Sequence, residues 1–248
     1  FQNPVDTRTR DYITGRFGRS SFRELNMSMH FHREVDRLIE DLISFGESIE
    51  DQLNDSISAL MERNVVGARR VIKNDGDMDQ IEVEMEEECL KLLALHQPLA
   101  NDLRQIVSIL KINCDLERVG DHAANIAQRV IDLDGLPSVE LPGEILAMSK
   151  QARLMLRISL LSFVESDEML TQGIFEMELE VNELNKTIFR QQIDAIGSAP
   201  DEAEQRILLL SICKQLERVG DLASNIAEDV VYLMSGEIIR HGGHEPAV

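Results

Sequence analysis

The segment LERVGD occurs at residues 116–121 and again 100 residues later at 216–221, and in each copy the match extends to Asn-Ile-Ala (125–127 and 225–227). No other feature constrains the chain as much. A repeat of that length implies that both halves build the same supersecondary unit. Leu, Val, Ala and Ile recur through both copies at a helical period, so the repeated unit is helical. The rest of the composition agrees: there is no Trp, two Tyr and six Pro in 248 residues, the profile of an all-α protein.

The spacing predicts six helices. The first covers about 31–63, where Val35, Leu38, Ile39, Leu42 and Ile49 share a face. Asn64 is placed to cap the second, which carries Val71, Met78, Ile81 and Met85 and fades near His96. Pro98 suits the first turn of a third helix ending near Asp132. Gly135, Pro137, Pro142 and Gly143 then break the chain. A fourth helix runs to about Glu165, Asp167 caps a fifth that stops at Gly197, Pro200 opens the sixth and Gly236 ends it. Two tandem three-helix bundles are expected, over 29–135 and 136–238. In the third helix of each half the core faces correspond: Ile112, Leu116, Val119, Ala123, Ile126 and Val130 against Ile212, Leu216, Val219, Ala223, Ile226 and Val230. Residues 1–28, with Arg8, Arg10, Arg16, Arg19 and Arg23 among Gly, Ser and Thr, are expected to form a disordered basic arm, and 239–248 a disordered tail.

The formal charge is −20, from 45 Asp and Glu against 25 Lys and Arg. Such a chain is repelled by nucleic acid and by anionic membranes, and suits a cation binder or a protein that docks on basic surfaces. Three cysteines without a CxxC pair point to a reducing, intracellular setting rather than a disulfide framework. The apolar runs, 207–210 among them, are too short to span a bilayer, and nothing supports a signal peptide.

On a wheel of about 100° per residue, Glu117, Asp121 and Asn125 stack on one face, nearly opposite Val119 and Ala123. Glu217, Asp221 and Asn225 repeat this. Asp75 and Asp79 are four apart on the preceding helix, and Glu82 and Glu86 extend their stripe. If the two helices fold back at Pro98, Asp79 lies level with Glu117 and Asp75 with Asp121. In the second half, a turn between Ala199 and Pro200 sets Glu178 level with Asp221 and Asn182 with Glu217. Acids four apart are most often a solvated face. Their recurrence with matched turn geometry in both halves instead predicts two metal sites: Asp75, Asp79, Glu117 and Asp121, and Glu178, Asn182, Glu217 and Asp221. Close carboxylates repel one another until a cation or protons neutralise them, and hard oxygen ligands suit magnesium, calcium, manganese or iron. Asn182 leaves the second site with less negative charge.

Gly120 and Gly220 cost about 1 kcal/mol each in a helix interior. Close approach of another helix is the favoured reason for them, and room beside a metal cluster is the alternative. His122 points about 100° away from Asp121 and reads as a packing or surface residue. His30, His32, His96, His241 and His244 make no metal-ligand spacing. Arg118 and Arg218 are read as partners of neighbouring acids.

LERVGDHAANIA and LERVGDLASNIA, with NDGDMDQIEVEME (74–86) and HQPLANDLRQIVSILKINCDLERVGD (96–121) before them, resemble the diagnostic motifs of the PhoU family, accessory and regulatory proteins of bacterial phosphate-specific transport. The resemblance covers about 33–236. It implies two three-helix bundles related by pseudo-two-fold symmetry, with surface metal ions (iron, manganese, magnesium or zinc) at Asp75 with Asp79, Glu117 with Asp121, and Glu217 with Asp221. Glu178 with Asn182 departs from the pattern. It further implies a cytoplasmic homodimer that represses the phosphate-starvation response. Such a protein would link the ATPase subunit of the phosphate ABC transporter to a sensor histidine kinase, reaching the membrane through those partners only.

No nucleophile–base pair, phosphate loop or activated thiol is visible, so a non-catalytic adaptor leads. A metal-dependent phosphoesterase or other carboxylate-bridged metalloenzyme is the alternative. A purely structural helical scaffold is the third reading.

Overall fold

The computed structural model describes the backbone over residues 17–236 and the side chains over 29–236 except Glu168. Six α-helices make up the described chain: α1 (Phe17–Glu62), α2 (Val65–His96), α3 (Asn101–Asp132), α4 (Gly143–Glu165), α5 (Glu168–Ser198) and α6 (Ala203–Ser235). A single 3₁₀ turn, Pro200–Glu202, precedes α6. The first three helices form one antiparallel bundle and the last three another.

Local chemistry sets most of the boundaries. The Asn64 side chain accepts from the Gly67 N–H at 2.8 Å and starts α2. Asp167 does the same for α5 through the Met169 N–H, also at 2.8 Å. Gly236 closes α6 in a left-handed conformation (φ 76°), its N–H donating to the Tyr232 carbonyl.

Three boundaries differ from the sequence expectation. α1 begins at Phe17, so 17–28 of the expected arm are helical backbone; 1–16 and the tail at 239–248 lie outside the described residues. No proline interrupts 17–31, and each residue added to an existing helix gains a hydrogen bond without a new nucleation cost. Pro98 lies in the turn rather than in α3. Gln97 takes a left-handed conformation (φ 48°) and ends α2 on the Leu93 carbonyl, Ala100 is also at positive φ (50°), and the helix restarts only at Asn101. Pro200 opens the 3₁₀ turn rather than α6 itself.

The core faces are buried in both halves. Ile112, Leu116, Val119, Ala123, Ile126 and Val130 of α3, and their six counterparts in α6, are shielded from solvent. The buried apolar side chains of the two halves form one continuous core. The halves meet through equivalent helices, α1 against α4 and α3 against α6. At the first contact the Leu160 side chain packs onto Gly46, where an added Cβ would have to push its Cδ1 aside. Beside it, Arg157 makes a bidentate pair with Glu50 (3.1 and 2.6 Å), and Arg153 donates to Asn54 and Glu50 (2.6 and 3.1 Å). At the second contact the Lys111 ammonium reaches buried Asp229 at 2.7 Å and lies 4.8 Å from the Tyr232 ring centroid, while His122 and Gln215 are hydrogen-bonded at 2.8 Å. His122 is thus a packing residue of the seam. Among the described residues, no helix is long and apolar enough to cross a membrane.

Candidate functional site

The α2–α3 hairpin brings Asp75, Asp79 and Glu82 alongside Glu117 and Asp121. Asp75, Glu82 and Glu117 are half-buried; Asp79 and Asp121 are exposed. Burial, and then the charges of Asp121, Asp79, Glu82 and Asp75, push the Glu117 carboxyl up to about 7. Asp75 is raised by burial and by Asp121 and Asp79, against an opposing hydrogen bond from Gln52. Burial also raises Glu82, together with Glu86 and Asp79.

α1 supplies the floor of this cluster. Gln52 is buried, and its Nε2 donates to Asp75 Oδ1 at 2.8 Å. Its Oε1 has no hydrogen-bond partner. Gly120 lets α1 come this close: a Cβ there would sit 3.0 Å from Ile49 Cδ1, 3.3 Å from Gln52 Oε1 and 3.6 Å from Asp75 Oδ1. Both readings of that glycine therefore meet at one place, where helix approach and cluster adjoin. Arg118, which adjoins Glu117, turns away to Asp115 at 3.1 Å. Among the described residues, no lysine or arginine pairs with Asp75, Asp79, Glu117 or Asp121.

The second cluster is built from α5 and α6. Glu178 accepts a hydrogen bond from the Ser224 hydroxyl at 2.7 Å, and Asn182 is half-buried one turn further along α5. Glu217 is paired with Lys214, and Asp221 with Arg218 at 3.1 Å. Burial, Glu217 and Glu178 raise the Asp221 carboxyl, while Arg218 and Lys214 oppose that rise. Gly220 is under less pressure than Gly120: a Cβ would meet Val181 at 3.5 Å and Met155 at 3.7 Å, ordinary contact distances.

Neither carboxylate cluster converges on a single point. Among the described residues, one group of three or more His, Cys, Asp or Glu side chains has its ligand atoms all within 4.8 Å of one another, and it is His30, Glu34 and His96. The spacing of these histidines in the sequence shows no ligand pattern. His30 and Glu34 do stand four apart on one helix, which is a visible signal, but the third member arrives only when α2 folds back along α1. Cys89 and Cys213 are buried, which pushes their thiols up to about 12, and Cys114 is exposed.

Comparison with known proteins places these clusters in a family context. The family model described as the PhoU domain matches the chain twice, over 42–130 and 145–230, with one LERVGD in each match. A phosphate-specific transport system accessory protein PhoU homolog of Pseudomonas putida is 34% identical over 221 residues, covering 88% of this chain and 86% of its own length. A homolog of the same description from Aquifex aeolicus is 34% identical over 213 residues, covering 86% and 96%. Among solved structures, the crystal structure of PhoU from Pseudomonas aeruginosa superposes with a TM-score of 0.80 at 33% identity, over 84% of this chain and 100% of that one. The phosphate transport system regulatory protein PhoU from Streptococcus pneumoniae gives 0.76 at 28% identity, over 84% and 98%.

Proposed function

The chain belongs to the PhoU family, and on that premise we propose that it is a metal-binding negative regulator of phosphate uptake and of the phosphate-starvation response. It acts in the cytoplasm as an adaptor between the ATPase subunit of the phosphate ABC transporter and a sensor histidine kinase, without a catalytic step. The observation that carries the metal-binding part is the first cluster: carboxylates of α2 and α3 raise one another's proton affinity, and no basic side chain among the described residues compensates them. A face arranged in this way holds protons or cations.

The residues fit a hard cation. Asp75, Asp79, Glu117 and Asp121 are oxygen donors, and Glu82 and the orphaned Gln52 Oε1 add two more beside them. Their spread suits ions that keep part of their water shell better than one ion held only by protein oxygens. A bound cation supplies charge neutralisation. The chain's own part is to hold the two helices at a fixed spacing, with Gly120 setting the approach of α1 and Gln52 orienting Asp75. Iron, manganese, magnesium and zinc are the candidate ions. In the second cluster Lys214 and Arg218 already supply positive charge, so its acids need a cation less.

Deleting the gene tests the regulatory reading. Alkaline phosphatase is expected to rise in phosphate-replete cells and to fall again when the wild-type gene is restored. Unchanged alkaline phosphatase after deletion overturns the regulator. Rapid turnover of a generic phosphoester by the purified protein, abolished by Glu117→Ala with Asp121→Ala, would instead establish the metalloenzyme.

A further inference from the structure

We propose that His30, Glu34 and His96 form a binding site for a zinc-class divalent ion, separate from both carboxylate clusters, that fastens α1 to the C-terminal end of α2. His30 and Glu34 occupy successive turns of one face of α1, and His96 is the last residue of α2. His30 Nδ1 lies 3.1 Å and His96 Nε2 2.9 Å from the same oxygen, Glu34 Oε2. In a tetrahedral site with metal–ligand bonds of about 2.0–2.1 Å, neighbouring ligand atoms are about 3.3 Å apart. Both histidine–glutamate separations fall within a few tenths of an ångström of that spacing, and all three ligand atoms lie within 4.8 Å of one another.

The donor set decides the kind of ion. Two imidazoles and one carboxylate suit zinc and its neighbours in the transition series, whereas magnesium and calcium prefer oxygen throughout. Three protein ligands leave a fourth position for water, and His30 is 69% exposed, so that position faces solvent. The rest of the site is held in place. Buried Phe31 packs against the His96 ring with centroids 5.2 Å apart, and the rings of His30 and His96 are inclined by 27° with centroids 6.4 Å apart. His32, though adjacent in sequence, faces Asp102 instead, at 3.9 Å.

Two facts separate this site from the family's repeated motifs. His30 and Glu34 precede the first matched segment, which starts at residue 42. The second half has no equivalent, because α4 begins only at Gly143, after the linker.

The test uses the full-length protein stripped of metal, with excess Mg²⁺ present to occupy hard oxygen sites, and Co²⁺ and Zn²⁺ as probes. Wild-type protein is expected to bind one Co²⁺ with the visible absorption of a nitrogen-ligated, low-coordinate ion, and one equivalent of Zn²⁺ should bleach it. His30→Ala, on an exposed side chain, is expected to weaken binding at least tenfold and remove the band. His96→Gln should do the same, and a thermal melt reports whether its fold persists. Glu117→Ala with Asp121→Ala should leave the band intact. Wild-type affinity in His30→Ala, or a band lost only with the Glu117 and Asp121 changes, overturns the site. So does wild-type Zn²⁺ binding that is seen only at millimolar concentration.

Discussion

The two copies of LERVGD share six residues and differ in electrostatic outcome because their neighbours differ. Position 114 is Cys and position 214 is Lys, so only the second copy has an ammonium to pair with its glutamate. Position 115 is Asp and position 215 is Gln. Arg118 is drawn back to Asp115, whereas Arg218, with no such competitor, turns forward to Asp221. Position 124 is Ala and position 224 is Ser, which hydrogen-bonds Glu178. The facing helix offers Asp79 in the first half and Asn182 in the second. Duplication thus preserved the helix and its core face, while the flanking positions left one cluster strained by like charge and relaxed the other. A repeated motif need not be a repeated site.

The largest expected difference is in metal affinity. Glu117→Ala with Asp121→Ala should reduce affinity for Mn²⁺ or Fe²⁺ more than tenfold, about 1.4 kcal/mol or more, and Glu217→Ala with Asp221→Ala by less than threefold, both read by equilibrium dialysis. Equal losses would break the comparison. Lys214→Cys with Gln215→Asp sharpens it, since the second cluster should then gain affinity.

A smaller effect concerns pH in metal-free protein. Glu117 in the folded chain is raised to about 7, above its unfolded value, so the native state binds more protons between these limits. Stability should fall as pH rises from about 4.5 to about 7. For a carboxyl that is only half-buried, screening leaves roughly 1 kcal/mol of that slope. Denaturant titrations at pH 5 and pH 8 should show this loss in the wild type and a smaller one in Glu117→Gln. Identical losses in both would remove Glu117 as the source.

The smallest effects come from the glycines. Gly220→Ala gains helix propensity without a close contact and should stabilise by up to about 1 kcal/mol. Gly120→Ala must displace Ile49 and Gln52 beside Asp75 and should gain nothing or lose stability. Thermal melts of the two variants compare them directly, and an equal gain at Gly120 would show that α1 yields there at no cost.

Much of the fold was legible because the signals are local. Asn64, Asp167 and Gly236 act on backbone groups within a few residues of themselves, and the apolar stripes of α3 and α6 follow from helical period alone. The neighbourhood of Asp75 and Asp79 with Glu117 and Asp121 was legible too, because a short turn between antiparallel helices sets which residues lie level. What escaped depends on a second or third helix. Gln52 beneath Asp75, the opposite turns of Arg118 and Arg218, and the meeting of Glu34 with His96 across α1 and α2 are decided by packing that no spacing rule encodes. The early start of α1 was missed for a different reason: an arginine-rich, stripe-free stretch looks unstructured until it is read as the continuation of the helix that follows it.

The seam between the halves fixes how the two repeats can pair. Its polar contacts join residues whose repeat counterparts differ: Lys111 and Asp229 against Ser211 and Arg129, His122 and Gln215 against Leu222 and Asp115. Exchanging the halves would not reproduce those contacts, and parting them would take Lys111 from the buried Asp229 carboxylate and split a shared apolar interior. One apolar interior thus runs through both halves, and the polar contacts across it fit only this pairing of the two repeats.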